Sequence, residues 1–204
     1  RKMNAQMTDI NLLRHTDIYL IDQIFKGRYV PGQQLLDAGC GSGRNLHWFV
    51  HHGFEVTAID DNAEALQQLL AQLPMLTHVH QCSISQMPFA PESFDHIICS
   101  AVLHFANSDH DFMQMMVALH RVLKTGGTLF IRMASNFGME NELPETATQP
   151  MLLPDGSWRY VLHQSMLDAI LQQTGFQLTE PVKSTLVLGQ RSMATLLLQK
   201  TGST

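Results

Sequence analysis

Eleven consecutive residues constrain this chain more than any others: Leu35-Leu36-Asp37-Ala38-Gly39-Cys40-Gly41-Ser42-Gly43-Arg44-Asn45. The apolar start predicts a buried strand over Gln34–Ala38. Three glycines at alternate positions then turn the chain into a helix carrying Leu46, Phe49 and Val50 on one face and capped by Gly53. Glycine lets a backbone turn tightly and lets a ligand approach closer than a Cβ allows, at a conformational cost that packing alone does not return. The helix start behind the turn offers unpaired N–H groups to an anionic group. The pattern is Gly-x-Gly-x-Gly. The dinucleotide fingerprint needs Gly-x-Gly-x-x-Gly, and its third glycine, counted from Gly39, is Arg44 here.

Around this turn strand and helix alternate. Apolar spacing predicts a helix over Ile10–Phe25, a second strand over Glu55–Ile59 and a third over Val79–Cys82. Asp61-Asn62-Ala63-Glu64 reads as a capping box opening a helix with Leu66, Leu69, Leu70 and Leu73 inward and Pro74 at its end. His96–Ser100 is almost wholly apolar, as a central parallel strand should be. A helix from Asn107 or Ser108 carries Phe112, Met115, Leu119, Val122 and Leu123, Gly126-Gly127 stops it, and Thr128–Met133 is the fifth strand. Residues 135–164 then break the rhythm with Pro144, Pro150 and Pro154, which marks a substrate-side loop or lid with a short strand over Trp158–Leu162. Ser165–Thr174 is a helix capped by Ser165 and stopped by Gly175. Phe176–Lys200 reads as a hairpin turning near Gly189-Gln190. The expected architecture is a single α/β domain over residues 1–204: a doubly wound, mostly parallel, Rossmann-like sheet with a C-terminal antiparallel β-hairpin, and residues 1–30 as a helical cap. Ligands of such sheets bind at the carboxyl ends of the strands.

Composition narrows the partners. The chain has 204 residues, charged residues are 15% and the net charge is −5 with His neutral. With no Lys/Arg block, neither nucleic acid nor an anionic membrane is an expected partner. No apolar run reaches the ~18 residues of a membrane span. Arg1–Leu13 lacks the apolar core of a signal peptide, so a cytoplasmic location is expected. Cys40, Cys82 and Cys99 are an odd set without a CxxC pair, which predicts buried free thiols of a reducing compartment and no metal site. His47 and His51 share one helix face at i, i+4 but lack the Glu of a His-Glu-x-x-His motif and a third ligand, so they read as a solvated face. His110, between Asp109 and Asp111, reads as part of a helix start.

Asp37-Ala38-Gly39-Cys40-Gly41-Ser42-Gly43 resembles the first motif of the class I S-adenosylmethionine-dependent methyltransferases, and the likeness extends from about Leu35 to Lys200. The resemblance implies that S-adenosylmethionine is the cofactor, with Asp37, Gly39, Cys40, Gly41, Gly43, Arg44 and Asn45 around it. Asp60, 21 residues past Gly39, would accept from the ribose hydroxyls. Asp61 stands where the family often has an apolar residue against adenine. Ser83-Ile84-Ser85-Gln86-Met87-Pro88-Phe89 is similar to the family's Asp-Ala-x-x-Leu-Pro-Phe, with Ser83 in place of the acid and the Ile84 N–H towards an adenine nitrogen. Arg121–Leu129 matches the family's helix-to-fifth-strand element. The closing hairpin fits as well.

Methyl transfer from a sulfonium leaves a neutral thioether, so neither an acid nor a catalytic triad is required. Ser100-Ala101-Val102-Leu103-His104-Phe105, after the fourth strand, faces the acceptor. It lacks the Pro-Pro-aromatic motif of base-modifying members. Ser100 is expected at the cofactor, and His104 is the candidate general base. The cover comes from three segments: the first helix with His15, Tyr19 and Asp22, the loop over 136–156, and Trp158-Arg159-Tyr160 with His163. Tyr19, Arg44 and Arg159 are candidate partners of the methionine carboxylate. Gly43-Arg44-Asn45 is similar to the tellurite-resistance-type methyltransferases. The expected function is methyl transfer to a small molecule by a monomer or homodimer. Methylation of RNA or protein, cofactor binding without catalysis and NAD chemistry are the alternatives.

Overall fold

Strands buried on both faces can satisfy their backbone groups only against neighbouring strands, so the apolar runs of this chain assemble into one sheet. The computed structural model describes residues 9–144 and 148–202; the remaining parts of the expected cap and lid lie outside the described residues. The elements run α1 (Asp9–Leu13), α2 (Ile18–Phe25), β1 (Gln34–Ala38), α3 (His47–His51), β2 (Glu55–Asp60), α4 (Ala63–Gln72), β3 (His78–Gln81) and β4 (Phe94–Ser100). They continue with α5 (Asp109–Val122), β5 (Leu123–Ser135), β6 (Met151–Leu152), β7 (Trp158–Arg159), α6 (Gln164–Thr174), β8 (Phe176–Leu178), β9 (Lys183–Val187) and β10 (Arg191–Lys200). Single 3-10 turns sit at Ile84–Gln86 and Leu103–Phe105.

The main sheet has the order β3-β2-β1-β4-β5-β10-β8, with β9 also paired to β10. β1 pairs in parallel with β2 on one side and β4 on the other, Leu36 lying opposite both Thr57 and Ile97. The chain therefore reverses its direction of travel across the sheet at β1, and the crevice beyond its carboxyl end is open for a ligand. β10 runs antiparallel between β5 and the β8 and β9 pair, as the expected terminal hairpin requires. Consecutive residues feed opposite faces. Leu36, Ile97, Ile131 and Leu196 pack under Phe112, Leu119 and Ile170, while Leu35, Ile98, Phe130 and Leu197 pack under Leu20, Phe49 and Leu69.

Local chemistry moves several expected boundaries. The single helix over Ile10–Phe25 is broken at Asp17, whose Oδ1 accepts from the Tyr19 N–H at 2.9 Å and starts α2 afresh. α3 spans five residues, and Leu70 of α4 faces solvent while Leu66, Leu69 and Leu73 are buried. Gly126-Gly127 does not delay β5. Phe94 pairs with Leu123 and His96 with Thr128, so the intervening residues bulge out of the ladder. The cap of α6 is His163, which accepts from Met166 N–H at 3.3 Å, rather than Ser165, which is hydrogen-bonded to the same ring nitrogen. Gly175 ends that helix with φ 76°, as the sequence predicts. The strand over Trp158–Leu162 shrinks to Trp158–Arg159 paired with β6, plus a bridge from Leu162 to Ser135. The hairpin turns on Leu188 and Gly189, both with positive φ, one residue earlier than expected.

Candidate functional site

The glycine turn after β1 is held by the second strand: Gly39 and Cys40 both donate their N–H to the Ile59 carbonyl, at 2.8 and 2.9 Å. Its three glycines have positive φ, 78°, 53° and 85°, and each meets a different neighbourhood. A Cβ on Gly39 would press into both methyls of Val102, 2.6 Å from Cγ1. A Cβ on Gly43 would collide with Leu69 Cδ1, inside the core beneath the turn. Gly41 has no atom within 4 Å of that position, and it borders a cleft. Two glycines thus serve close packing, and the middle one leaves the wall of the cleft bare.

That cleft measures about 690 Å³ and runs along the carboxyl ends of β1, β2, β3 and β4. Of the residues expected at a cofactor, Gly39, Cys40, Gly41, Arg44, Asn45, Asp60, Asp61, Ser83, Ile84 and Ser100 line it. Asp60 is not idle. Its Oδ2 accepts from Gly41 N–H at 2.8 Å and its Oδ1 from Asn62 N–H at 2.9 Å, so the carboxylate ties the first two turns of the cleft together. Each oxygen keeps lone-pair capacity for a further donor. The capping of α4 falls to Asn62 alone, which accepts from Glu64 and Ala65 N–H, while Asp61 stands exposed at the rim. The Ser83 hydroxyl contacts that of Ser85 at 3.3 Å.

Gly43 does not border the cleft; it is spent on packing against α4. Asp37 is buried beneath the turn, with Oδ2 lacking any partner among the described residues. Burial pushes its pKa up to about 7, opposed by the charge of Arg44. Tyr19 borders neither cavity. Its hydroxyl is hydrogen-bonded to Thr185 Oγ1 and its ring lies beneath the Arg132 guanidinium, 5.0 Å from the centroid. Cys40 and Cys99 are buried, as expected, but Cys82 is half-buried and borders the cleft.

A second cavity of about 220 Å³ meets the first at Arg44 and Ala101. His104 lines it, together with Asp17, Arg132 and residues between β6 and β7 and of β7 itself, such as Asp155 and Arg159. The His104 Nδ1 accepts from the Ala134 N–H at 3.3 Å, so its basic lone pair is engaged and the ring proton belongs on Nε2. Burial, reinforced by the positive charge of Arg159, lowers its pKa to about 4. In this geometry His104 is a neutral, packed ring whose lone pair is turned to the backbone and not to the cavity. Ala101, beside it, holds φ 63°, a left-handed conformation rare outside glycine, which turns the chain sharply between β4 and the following 3-10 turn. Arg159 borders this second cavity and not the cleft.

Asp17 organises the junction and went unnoticed in the sequence, although Thr16-Asp17 before an apolar stretch is a helix-start signal. Its fully buried carboxylate caps α2, accepts from Arg132 Nη1 at 2.8 Å and lies 3.8 Å from Arg44 Nη2. Asn45 Oδ1 accepts the Asp17 N–H at 2.9 Å, which locks the first segment onto the glycine turn. Asp109 also does more than begin a helix: its Oδ1 accepts from the Tyr160 hydroxyl at 2.8 Å and anchors the segment that follows β7. Among the described residues no group of three His, Cys, Asp or Glu could hold a metal ion, and no helix is long and apolar enough to cross a membrane.

Residues 36–131 match the family described as "Methyltransferase domain". The chain is 27% identical to an uncharacterized methyltransferase of Bacillus subtilis over 74% of its own length and 62% of that protein's. It is 34% identical to the malonyl-[acyl-carrier protein] O-methyltransferase of Erwinia billingiae over 60% of its length and 47% of that relative's. The chain thus spans less than two thirds of either relative. Among solved structures, an S-adenosylmethionine-dependent methyltransferase from Methanosarcina mazei superposes with a TM-score of 0.72 at 19% identity, over 88% of this chain and 98% of that one. Over residues 36–131 the chain is similar to a methyltransferase domain, and its fold is similar to that of an S-adenosylmethionine-dependent methyltransferase.

Proposed function

We propose that this protein transfers a methyl group from S-adenosylmethionine to a small-molecule acceptor. The observation that carries the reading is the pair of cavities joined at Arg44 and Ala101, a long one on the glycine turn and a short one under the lid. Three features fit the cofactor. Gly41 leaves bare space where a Cβ would stand, the Asp60 carboxylate borders the cleft with capacity for further donors, and Asp37 has a buried oxygen without a partner. Asp37 lies behind the turn and outside the lining of the cleft, so it would act on a cationic ligand through its charge alone. Gly41, Asp60, Asp61, Ser83 and Ile84 would hold the adenosyl part.

When bound, S-adenosylmethionine supplies a methyl group on a sulfonium, whose departure leaves a neutral thioether. The protein's own part is positioning and exclusion of water. Ala101 and Arg44 mark where donor and acceptor would meet. The lid strands and Tyr160, anchored on Asp109, cover the acceptor side. Among the described residues of the shorter cavity, the His104 lone pair is bonded to a backbone N–H, and the carboxylates of Asp17 and Asp155 are paired with arginines. Rate then comes from proximity and orientation, and the acceptor atom is nucleophilic without the protein's help. A small acceptor is supported by the size of the shorter cavity and by the lack of a basic surface block. A radiolabelled methyl-donor screen tests the reading. Label should pass to small nucleophiles; label passing only to RNA or protein, or to nothing, contradicts it.

A further inference from the structure

The shorter cavity is lined by four arginines, Arg44, Arg132, Arg159 and Arg191, against two carboxylates, Asp17 and Asp155. Two of the arginines are paired closely: Arg132 with Asp17 at 2.8 Å and Arg191 with Asp155 at 3.3 Å. Arg44 stands further from Asp17, at 3.8 Å, and gives a hydrogen bond to Ser100 Oγ. Arg159 has no carboxylate within ion-pair distance among the described residues. Its Nη1 donates to the Trp158 carbonyl, and its guanidinium stacks 4.9 Å from the centre of the Phe105 ring. Phe105 in turn borders the longer cleft, so this cation is fixed at the wall between the two cavities. The Nε of Arg132 is buried with no acceptor among the described residues.

Charges gathered in a half-enclosed pocket repel one another unless an anion enters, and a buried guanidinium donor without an acceptor is costly. We propose that the shorter cavity is the acceptor subsite and that it takes a small compact oxyanion, a carboxylate or a phosphate, on Arg159 with Arg132 behind it. The planar guanidinium fork of Arg159 matches two oxygens of either group. The inference rests on the methyltransferase reading and narrows it: the acceptor carries a negative charge. The same positive field depresses the basicity of His104, whose protonation Arg159 opposes.

The test is calorimetric titration at low ionic strength, where a partly exposed pair is least screened. S-adenosylhomocysteine is titrated first, then succinate, inorganic phosphate and the neutral isostere succinamide into the loaded protein. Succinate or phosphate should bind and succinamide should not; which of the two anions binds more tightly distinguishes the carboxylate from the phosphate. Arg159→Gln should weaken the anion roughly tenfold, the low end for a hydrogen bond to a charged group, with S-adenosylhomocysteine affinity unchanged. Arg159→Glu should abolish anion binding and likewise leave S-adenosylhomocysteine affinity as it was, which also reports that the variant is folded. If S-adenosylhomocysteine binds and neither anion does, or if the Arg159 variants weaken S-adenosylhomocysteine as much as the anion, the subsite assignment is overturned while the methyltransferase reading stands. If S-adenosylhomocysteine itself does not bind, the reading beneath it is lost as well.

Discussion

Replacing Gly39 and Gly41 separately by alanine splits the two duties of the glycine turn. Both have positive φ, 78° and 53°, so alanine at either place takes on about 1–2 kcal/mol of left-handed strain. It recovers about 0.4–1 kcal/mol from the reduced freedom of the unfolded chain. Gly39→Ala adds a collision. The new Cβ would lie 2.6 Å from Val102 Cγ1 and 3.0 Å from its Cβ, and a β-branched side chain cannot rotate out of the way. Overpacking of this kind costs about 1–3 kcal/mol, giving about 2–4 kcal/mol in all. Gly41→Ala meets nothing within 4 Å, so its cost to stability should stay near 1 kcal/mol. The order should reverse for the ligand. Gly41→Ala puts a methyl group into the cleft and should weaken S-adenosylhomocysteine by roughly tenfold or more, about 1.4 kcal/mol. Urea unfolding with an unchanged slope gives the first quantity and calorimetric titration the second. Equal stabilities for the two variants, or parental affinity in Gly41→Ala, would refute the division.

Further expectations follow from the carboxylates and the histidine. Asp60→Ala should weaken adenosyl binding by about 1.5–3 kcal/mol, read by the same titration; an unchanged affinity would move the ribose elsewhere. Asp37 has its pKa raised by burial to about 7 from 3.8, so the folded state holds a proton the unfolded chain has lost, and stability falls as pH rises through that interval. Asp37→Asn removes this slope, and its stability relative to the parent should grow by about 2–3 kcal/mol between pH 5 and pH 8; parallel curves would contradict the buried, unpartnered carboxylate. Asp17→Ala leaves Arg132 without its 2.8 Å partner and should cost about 2–3 kcal/mol, below the full cost of breaking a buried pair because Arg132 is partly exposed, as measured by denaturant unfolding. His104, held to a pKa of about 4 by burial, is neutral throughout the neutral range. A pH–rate profile of His104→Ala should therefore keep the parent's shape above about pH 6, and an ascending limb that disappears in the variant would restore the base.

Much of the sheet was legible because burial on both faces writes itself as continuous apolar runs. β1 falls on its predicted residues, and the terminal strand pairs as a hairpin. The boundaries that slipped are those where a side chain competes with the backbone. Asp17 interrupts what apolar spacing alone joins into one helix, and His163 takes the capping role that the sequence assigns to Ser165. The glycine turn announced a ligand site, but not that Gly43 packs on Leu69 while Gly41 faces open space; that distinction depends on φ and on α4. The acceptor side was least legible. Arg132 comes from the carboxyl-terminal part of β5, Arg191 from the start of β10 and Arg159 from β7, so residues remote in sequence become one charged pocket only through the antiparallel return of the chain. Tyr19 looked like a carboxylate partner from its place in the first segment, yet the fold turns its hydroxyl to Thr185.

The central claim is that the cleft over Gly41 and Asp60 takes an adenosyl sulfonium and not a dinucleotide. Calorimetric titration of the purified protein with S-adenosylmethionine, S-adenosylhomocysteine and NAD measures it directly. One equivalent of each adenosyl ligand should bind with no heat from NAD; binding of NAD with neither adenosyl ligand bound would contradict the claim.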